Sequence, residues 1–111
     1  MNEKRSKIDE ILDKLIPLLY QIPKGKVTTY AILARIIGTS PRVVGKALGK
    51  NRSSAPCHRV VKSNGEIGGF RNSHSREIVK EKIRLLKNEG IKIKHDKIVN
   101  LKEYLYNFRL E

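Results

Sequence analysis

Apolar positions recur at helical intervals near the start of the chain. Ile8, Ile11, Leu12, Leu15, Leu18 and Leu19 fall on one stripe, and Ser6 with Asp9 ahead of it has the arrangement of a capped helix start. Pro17 lies inside that stripe and predicts a kink or a division, because its ring crowds the preceding turn and it has no N–H to donate. The run Ile22-Pro23-Lys24-Gly25-Lys26 reads as a turn, after which Val27-Thr28-Thr29 leads into a second helix over 30–37 that Gly38 stops. Ser40 caps a third helix, with Pro41 in its first turn and its end near Lys50. Two short helices joined by Gly38-Thr39-Ser40 form a helix-turn-helix candidate.

Beyond a loop at 51–56 the period changes. Val60-Val61 and Glu66-Ile67 flank Ser63-Asn64-Gly65, the pattern of a β-hairpin. Residues 71–75 read as loop, 76–88 as a helix stopped by Gly90, and the tail as a strand at Ile91-Lys92-Ile93 followed by a short helix with Asn100 and Glu103 as its capping box. The expected fold class is mostly α with a small β-hairpin, a winged helix-turn-helix-like single domain over 1–111 without repeats or low-complexity tracts.

The third helix has two faces. Val44, Leu48 and Asn51 share the side that turns inward, and Arg42, Gly45, Lys46 and Gly49 share the other. A glycine inside a helix costs about 1 kcal/mol relative to alanine. Glycines on a basic face therefore exchange stability for close approach, either of a neighbouring helix or of a nucleic-acid backbone, and Arg42 and Lys46 favour the second.

Charge sharpens this reading. The 111 residues carry 24 Lys and Arg against 11 Asp and Glu, a formal +13, which points to a polyanionic partner, nucleic acid first. No signal sequence, membrane span or strongly basic amphipathic helix with bulky aromatics is present, so a membrane is not expected as a partner. The one cysteine allows no internal disulfide and suits a reducing, cytoplasmic setting. One Cys and three scattered His make no metal-ligand cluster, and no cofactor is implied.

That cysteine, Cys57, lies in Pro56-Cys57-His58-Arg59-Val60-Val61, where a turn passes into a strand. A lone thiol is commonly a small buried hydrophobe. Here an imidazole adjoins it and basic side chains surround it, which is the setting of a nucleophile. A free thiol, with pKa near ~8.5, is only a few per cent ionised at pH 7 and benefits from a local base. His74 and His95 lack such neighbours and read as surface residues.

Taken together, Ile22-Pro23-x-Gly25-x-Val27-x-Thr29-Tyr30, then Arg42-x-Val44-Gly45-x-Ala47, then Asn51, then Pro56-Cys57-His58-Arg59-Val60-Val61, resemble the methylated-DNA–protein-cysteine methyltransferases over roughly Leu15 to Gly90. The resemblance implies repair of double-stranded DNA containing 6-O-alkylguanine by a monomer that transfers the alkyl group irreversibly to Cys57. It implies that His58 is the base and Glu89 its orienting carboxylate, a relay similar in logic to a protease triad. It assigns Arg42 to the place of the extruded base, Tyr30 to the guanine ring, and Thr29, Gly45, Lys46 and Gly49, with Ala47, to the DNA-binding face in the minor groove. Asn51 braces the cysteine turn and Arg59 supports it structurally. The Val60 carbonyl is expected to meet the exocyclic amine, with Phe70 and Arg71 of Gly68-Gly69-Phe70-Arg71 in the pocket wall, the Arg71 amide facing oxygen-6.

The chain departs from the family's pattern in four places, one of them Lys46, which stands where a small residue is frequent and adds a charge where phosphates would lie. The ribonuclease-H-like domain that precedes this region in most members is not expected here, so stability is expected to depend on the tail or on a separate chain. Phe70 stands where tyrosine is commoner, and the stretch from Asn72 to Glu77 is longer than usual. The compact length is also similar to that of the alkyltransferase-like proteins, which bind the same lesions without removing the alkyl group but have commonly lost the cysteine. A winged-helix transcription regulator would explain the charge but not Cys57-His58.

Overall fold

The computed structural model describes residues 5–71 and 73–109, and Asn72 of the long stretch lies outside the described residues. Helix α1, Lys7–Gln21, opens on the Ser6 and Asp9 capping box. It runs through Pro17 without a break. The missing N–H frees the carbonyl of Asp13, one turn earlier, and both residues are exposed, so that carbonyl is open to solvent instead of buried without a partner. Strand β1, Thr28–Thr29, leads directly into α2, Tyr30–Ile37, with the Thr29 hydroxyl accepting from Ile32 N and Gly38 closing the helix in the left-handed region. Helix α3, Pro41–Leu48, starts from the Ser40 cap. Gly49 is its C-terminal cap residue and not part of its interior, so only Gly45 carries the helix-interior penalty.

A single 3₁₀ turn, Cys57–Arg59, passes into β2, Val60–Val61. Here the expected hairpin is corrected. Strand β2 pairs in parallel with β1, Thr28 beside Val60 and Thr29 beside Val61. The Ser63-Asn64-Gly65 turn does form, with Lys62 N donating to Glu66 O at 2.9 Å and Gly65 N to Lys62 O at 2.9 Å, but no ladder extends from it. The small hairpin of this fold is in the tail: β3, Ile93–Lys94, and β4, Lys97–Ile98, are antiparallel, and Glu66 bridges to Lys97. Between them α4, Arg76–Asn88, is capped by Ser75. The last helix, α5, Leu101–Tyr104, lacks the expected capping box, because Asn100 adopts a left-handed conformation and its side chain makes no cap bond. Five helices and short strands keep the fold class as expected.

Two apolar clusters meet at β2. Leu15, Leu18, Leu19, Leu33, Val44, Ala47, Leu48 and Val60 form one with α1 to α3, while Val27, Val61, Ile67, Leu86, Ile91 and Ile98 form the other. Successive strand residues point to opposite faces, so Val60 and Val61 serve different clusters and the cysteine turn sits at the seam. The tail joins the sheet from the other side. Val27 N donates to Tyr104 O at 2.8 Å and Tyr106 N to Val27 O at 2.9 Å, and Tyr106 packs edge-on against Phe108 over the first cluster.

The double variant Tyr106→Ala/Phe108→Ala is expected to lower the unfolding free energy by about 2 kcal/mol, less than for fully buried rings because both are half-exposed. Urea denaturation followed by circular dichroism measures it.

Candidate active site

Cys57 reaches an open cleft of about 670 Å³ whose walls come from three segments. Tyr30 and Ala31 of α2 form one side. Pro41, Arg42, Gly45, Lys46, Leu48 and Gly49 of α3 form a second. The turn and wall from Lys62 to His74 supply the third, through Ser63, Asn64, Glu66, Gly68, Gly69, Phe70 and Arg71 among others. No Asp or Glu lies between Asp13 and Glu66 in the chain, while ten Lys and Arg do, so the helix-turn-helix side of the cleft is uniformly positive.

The turn that carries the sulfur is braced from its own loop. Asn51 accepts from Ser53 N at 3.0 Å and Ser53 Oγ at 2.6 Å, and donates to Ala55 O at 3.2 Å. Behind Cys57, His58 Nε2 lies 2.8 Å from Glu89 Oε2. Arg59 donates to both oxygens of the same carboxylate at 2.9 Å and to Ile22 O at 2.7 Å. Burial pushes the Glu89 pKa up, but the hydrogen bonds from Arg59 and His58 outweigh it and hold the carboxyl below the usual glutamate range. Folded Glu89 thus binds protons less readily than unfolded Glu89. Its pairing stabilises the fold above that range and is lost as pH falls below it. The His58–Glu89 arm of the expected relay is formed, and among the described residues no hydrogen bond joins the Cys57 sulfur to His58.

Lys82 stands at the back of this site, and the sequence reading missed it. It projects from α4 and is fully buried. Its Nζ donates to Val60 O at 2.6 Å, Ile67 O at 2.6 Å and Gly69 O at 3.0 Å, and lies 3.4 Å from Tyr30 Oη. Burial pushes its pKa down to about 7, and negative charge on Cys57 pulls it back up. Burial, together with charge on Cys57, pushes the Tyr30 phenol up to about 12, so Tyr30 stays protonated at neutral pH and acts as a donor, at present to Gly69 O at 3.3 Å. The available signal was positional: Val79, Lys82 and Leu86 fall on one helical stripe, and a lysine inside an apolar stripe asks for a buried partner.

The cleft gathers Cys57, Tyr30, Arg42, Gly45, Lys46, Gly49, Phe70 and Arg71, with His58, Glu89, Arg59 and Asn51 in support behind it. Three expected contacts are corrected. Thr29 is 3% exposed and its hydroxyl is spent capping α2, so it is not on a DNA-facing surface. Val60 is fully buried, is not in the cleft wall, and its carbonyl accepts from Lys82. Ala47 likewise faces the core. His74 is exposed, as expected, and also stands in the cleft wall.

A family model described as the DNA-binding domain of 6-O-methylguanine DNA methyltransferase matches residues 11–91. A methylated-DNA–protein-cysteine methyltransferase of Pyrobaculum aerophilum is 46% identical over 85 residues, covering 75% of this chain and 53% of that protein. The chain thus spans about half the length of such curated relatives. Among solved structures, S. pombe Atl1, crystallised with damaged DNA containing O6-carboxymethylguanine, aligns with a TM-score of 0.78 at 30% identity, covering 94% of this chain and 99% of that one. The O6-methylguanine-DNA methyltransferase of Pyrococcus kodakaraensis aligns at 0.58 and 33% identity, covering 78% of this chain and 47% of that one.

Lys82→Met is expected to destabilise the protein by at least about 2 kcal/mol, because it strands the buried carbonyls of Val60 and Ile67, each worth ~1–3 kcal/mol when unsatisfied, while Gly69 O keeps the Tyr30 hydroxyl. Urea denaturation of the variant beside a surface control, Lys80→Met, checks this.

Proposed function

This chain belongs to the 6-O-methylguanine DNA methyltransferase family, and from that premise we propose that it repairs double-stranded DNA by moving an alkyl group from guanine oxygen-6 to Cys57, once per molecule. The observation that carries the proposal is the meeting of Cys57, Tyr30 and the Arg42–Gly45–Lys46 face of α3 in one cleft. A stacked guanine is out of reach, so the nucleotide rotates out of the duplex at a cost on the order of a few kcal/mol. Arg42, exposed early in α3, fills the vacated space, and Gly45 lets the DNA backbone approach.

In the chemical step His58 takes the thiol proton, and Glu89 stabilises the imidazolium that results. The thiolate attacks the alkyl carbon. A carbon–sulfur bond forms, the carbon–oxygen bond breaks, and its electron pair stays on the guanine. The purine then takes one proton from Tyr30, which Lys82 replaces from its ammonium; the proton held by His58 returns through solvent. The thioether has no carbonyl for water to attack and sulfur leaves carbon poorly, so Cys57 is not regenerated.

One observation favours a second reading. The whole chain aligns with nearly the whole of Atl1, and more closely than with the Pyrococcus methyltransferase. In that reading the protein holds the lesion in the same cleft without transfer.

Two experiments test the proposal. Intact-mass measurement after incubation with 6-O-methylguanine duplex is expected to show a methyl group in place of one hydrogen, on Cys57, with no mass change in Cys57→Ala although the variant still binds DNA; unmodified protein after prolonged binding selects the second reading. Gly45→Ala is expected to raise stability by about 1 kcal/mol, since a Cβ there would meet only Tyr30 Cε1 at 4.0 Å, and to weaken DNA binding at the same time. Urea denaturation and fluorescence anisotropy measure the two effects, and unchanged affinity would remove Gly45 from the interface.

A further inference from the structure

Gly69 stands in the cleft wall, and its carbonyl is gripped from behind by Lys82 Nζ at 3.0 Å and Tyr30 Oη at 3.3 Å. A Cβ built on Gly69 would lie 2.7 Å from His74 Nε2, 2.9 Å from His74 Cδ2 and 2.8 Å from Ser73 O. The His74 ring therefore occupies the volume that a side chain at position 69 would fill. The backbone beneath that ring is anchored at both ends. Phe70 and Ser73 exchange two backbone hydrogen bonds, at 2.9 and 3.0 Å, and Ser75 N donates to Ser73 Oγ at 3.1 Å before Ser75 caps α4. The ring itself makes no hydrogen bond or ion pair among the described residues, and His74 is exposed. A fixed backbone thus carries a side chain held over Gly69 by contact alone.

Turning the ring outward bares a flat surface. Gly68 and Gly69 present peptide planes without side chains, Phe70 lies beside them at 6% exposure, and Tyr30 closes the far edge, its Oη and Cε2 both 3.4 Å from the place a Gly68 Cβ would take. These peptide faces are edged by Tyr30, by Phe70 beneath the Arg71 guanidinium at 4.7 Å, and by the Lys62 stem, and they offer a flat surface on which a planar group can stack. We propose that His74 is the movable panel of the cleft and determines how large an alkyl group on oxygen-6 is accepted: folded over Gly69 it bounds a space for small groups, and swung out it admits an aromatic one. This inference rests on the alkyl-transfer reading above and names the residue that sets its substrate range.

The test is single-turnover transfer to Cys57, at saturating protein, from duplexes carrying 6-O-methylguanine or 6-O-benzylguanine. His74→Ala is expected to raise the benzyl rate relative to the methyl rate by at least about tenfold, the discrimination that a methylene or more of pocket space provides. His74→Leu keeps the bulk without the nitrogens and is expected to hold the ratio near that of the parent. A ratio indifferent to His74→Ala, or one that His74→Leu shifts as far as His74→Ala does, overturns the panel while the transfer reading stands. Equal slowing on both duplexes also overturns it, since that places His74 on the DNA and not on the alkyl group. A parent protein that transfers neither group overturns the transfer reading and the panel together.

Discussion

Lys82 reaches from α4 into the space between three segments of chain and gives its protons to the carbonyls of Val60, Ile67 and Gly69. These carbonyls belong to the strand after the cysteine turn, the segment after the Ser63-Asn64-Gly65 turn, and the cleft wall. Neither β2 nor the wall has a long ladder to hold it, since β2 is two residues paired on one side with β1. A buried ammonium with three acceptors does the work that a wider sheet would otherwise do. The same group touches the Tyr30 oxygen, so the bond that sets the wall in place also sets the proton donor. Burial brings its pKa down to about 7, so the ammonium can release a proton near neutral pH.

Glu89 plays the corresponding part on the other side of the sulfur. Arg59 takes both carboxylate oxygens, yet Oε2 still meets His58 Nε2. Arg59 is tied in turn to Ile22 O, at the end of α1, so the end of α4, the cysteine turn and the end of α1 converge on one carboxylate. A buried carboxylate with a single partner would be expensive; with three hydrogen bonds it stays ionised and can balance a positive His58. Arg59 is thus the structural support expected of it, and without it the carboxylate that meets the imidazole would itself be under-compensated.

Elements with local signals were legible in the sequence. Thr29, Ser40 and Ser75 cap helices where hydroxyls precede an apolar period, and Gly38 and Gly90 end them at positive φ. The larger failures were non-local, although the Asn100 and Glu103 capping box failed locally. Val60-Val61 has the apolar pattern of either a hairpin arm or a parallel strand, and only the meeting with Thr28-Thr29 decides between them. The Ser63-Asn64-Gly65 turn was correct as a turn and misleading as a ladder. Thr29 was read by its position beside Tyr30, but a cap hydroxyl at the start of a helix is already committed to the backbone. The residues around Cys57 came from a motif contiguous in the chain, and Glu89 from family resemblance. Lys82 had neither, since its three acceptors are scattered through the chain and become a site only after folding.

Two glycines in the cleft show opposite physical logic, and the difference bears on what the cleft is for. Gly69 is glycine because the protein itself fills the space: His74 and Ser73 stand where its side chain would be. Gly45 has no such neighbour. Nothing in the fold approaches its missing Cβ closer than 4.0 Å, its φ is not positive, and it lies inside a helix where alanine would be more stable. A demand that internal packing and backbone geometry do not make has to come from outside the chain. Arg42 and Lys46 stand beside Gly45 on the same face, in a stretch of sequence without a single acid, so the object that needs the room is long, close-fitting and negatively charged. The groove beside Gly45 and the sulfur of Cys57 open into one cleft, so in the proposed function the binding of that object and the transfer to the cysteine are parts of a single event.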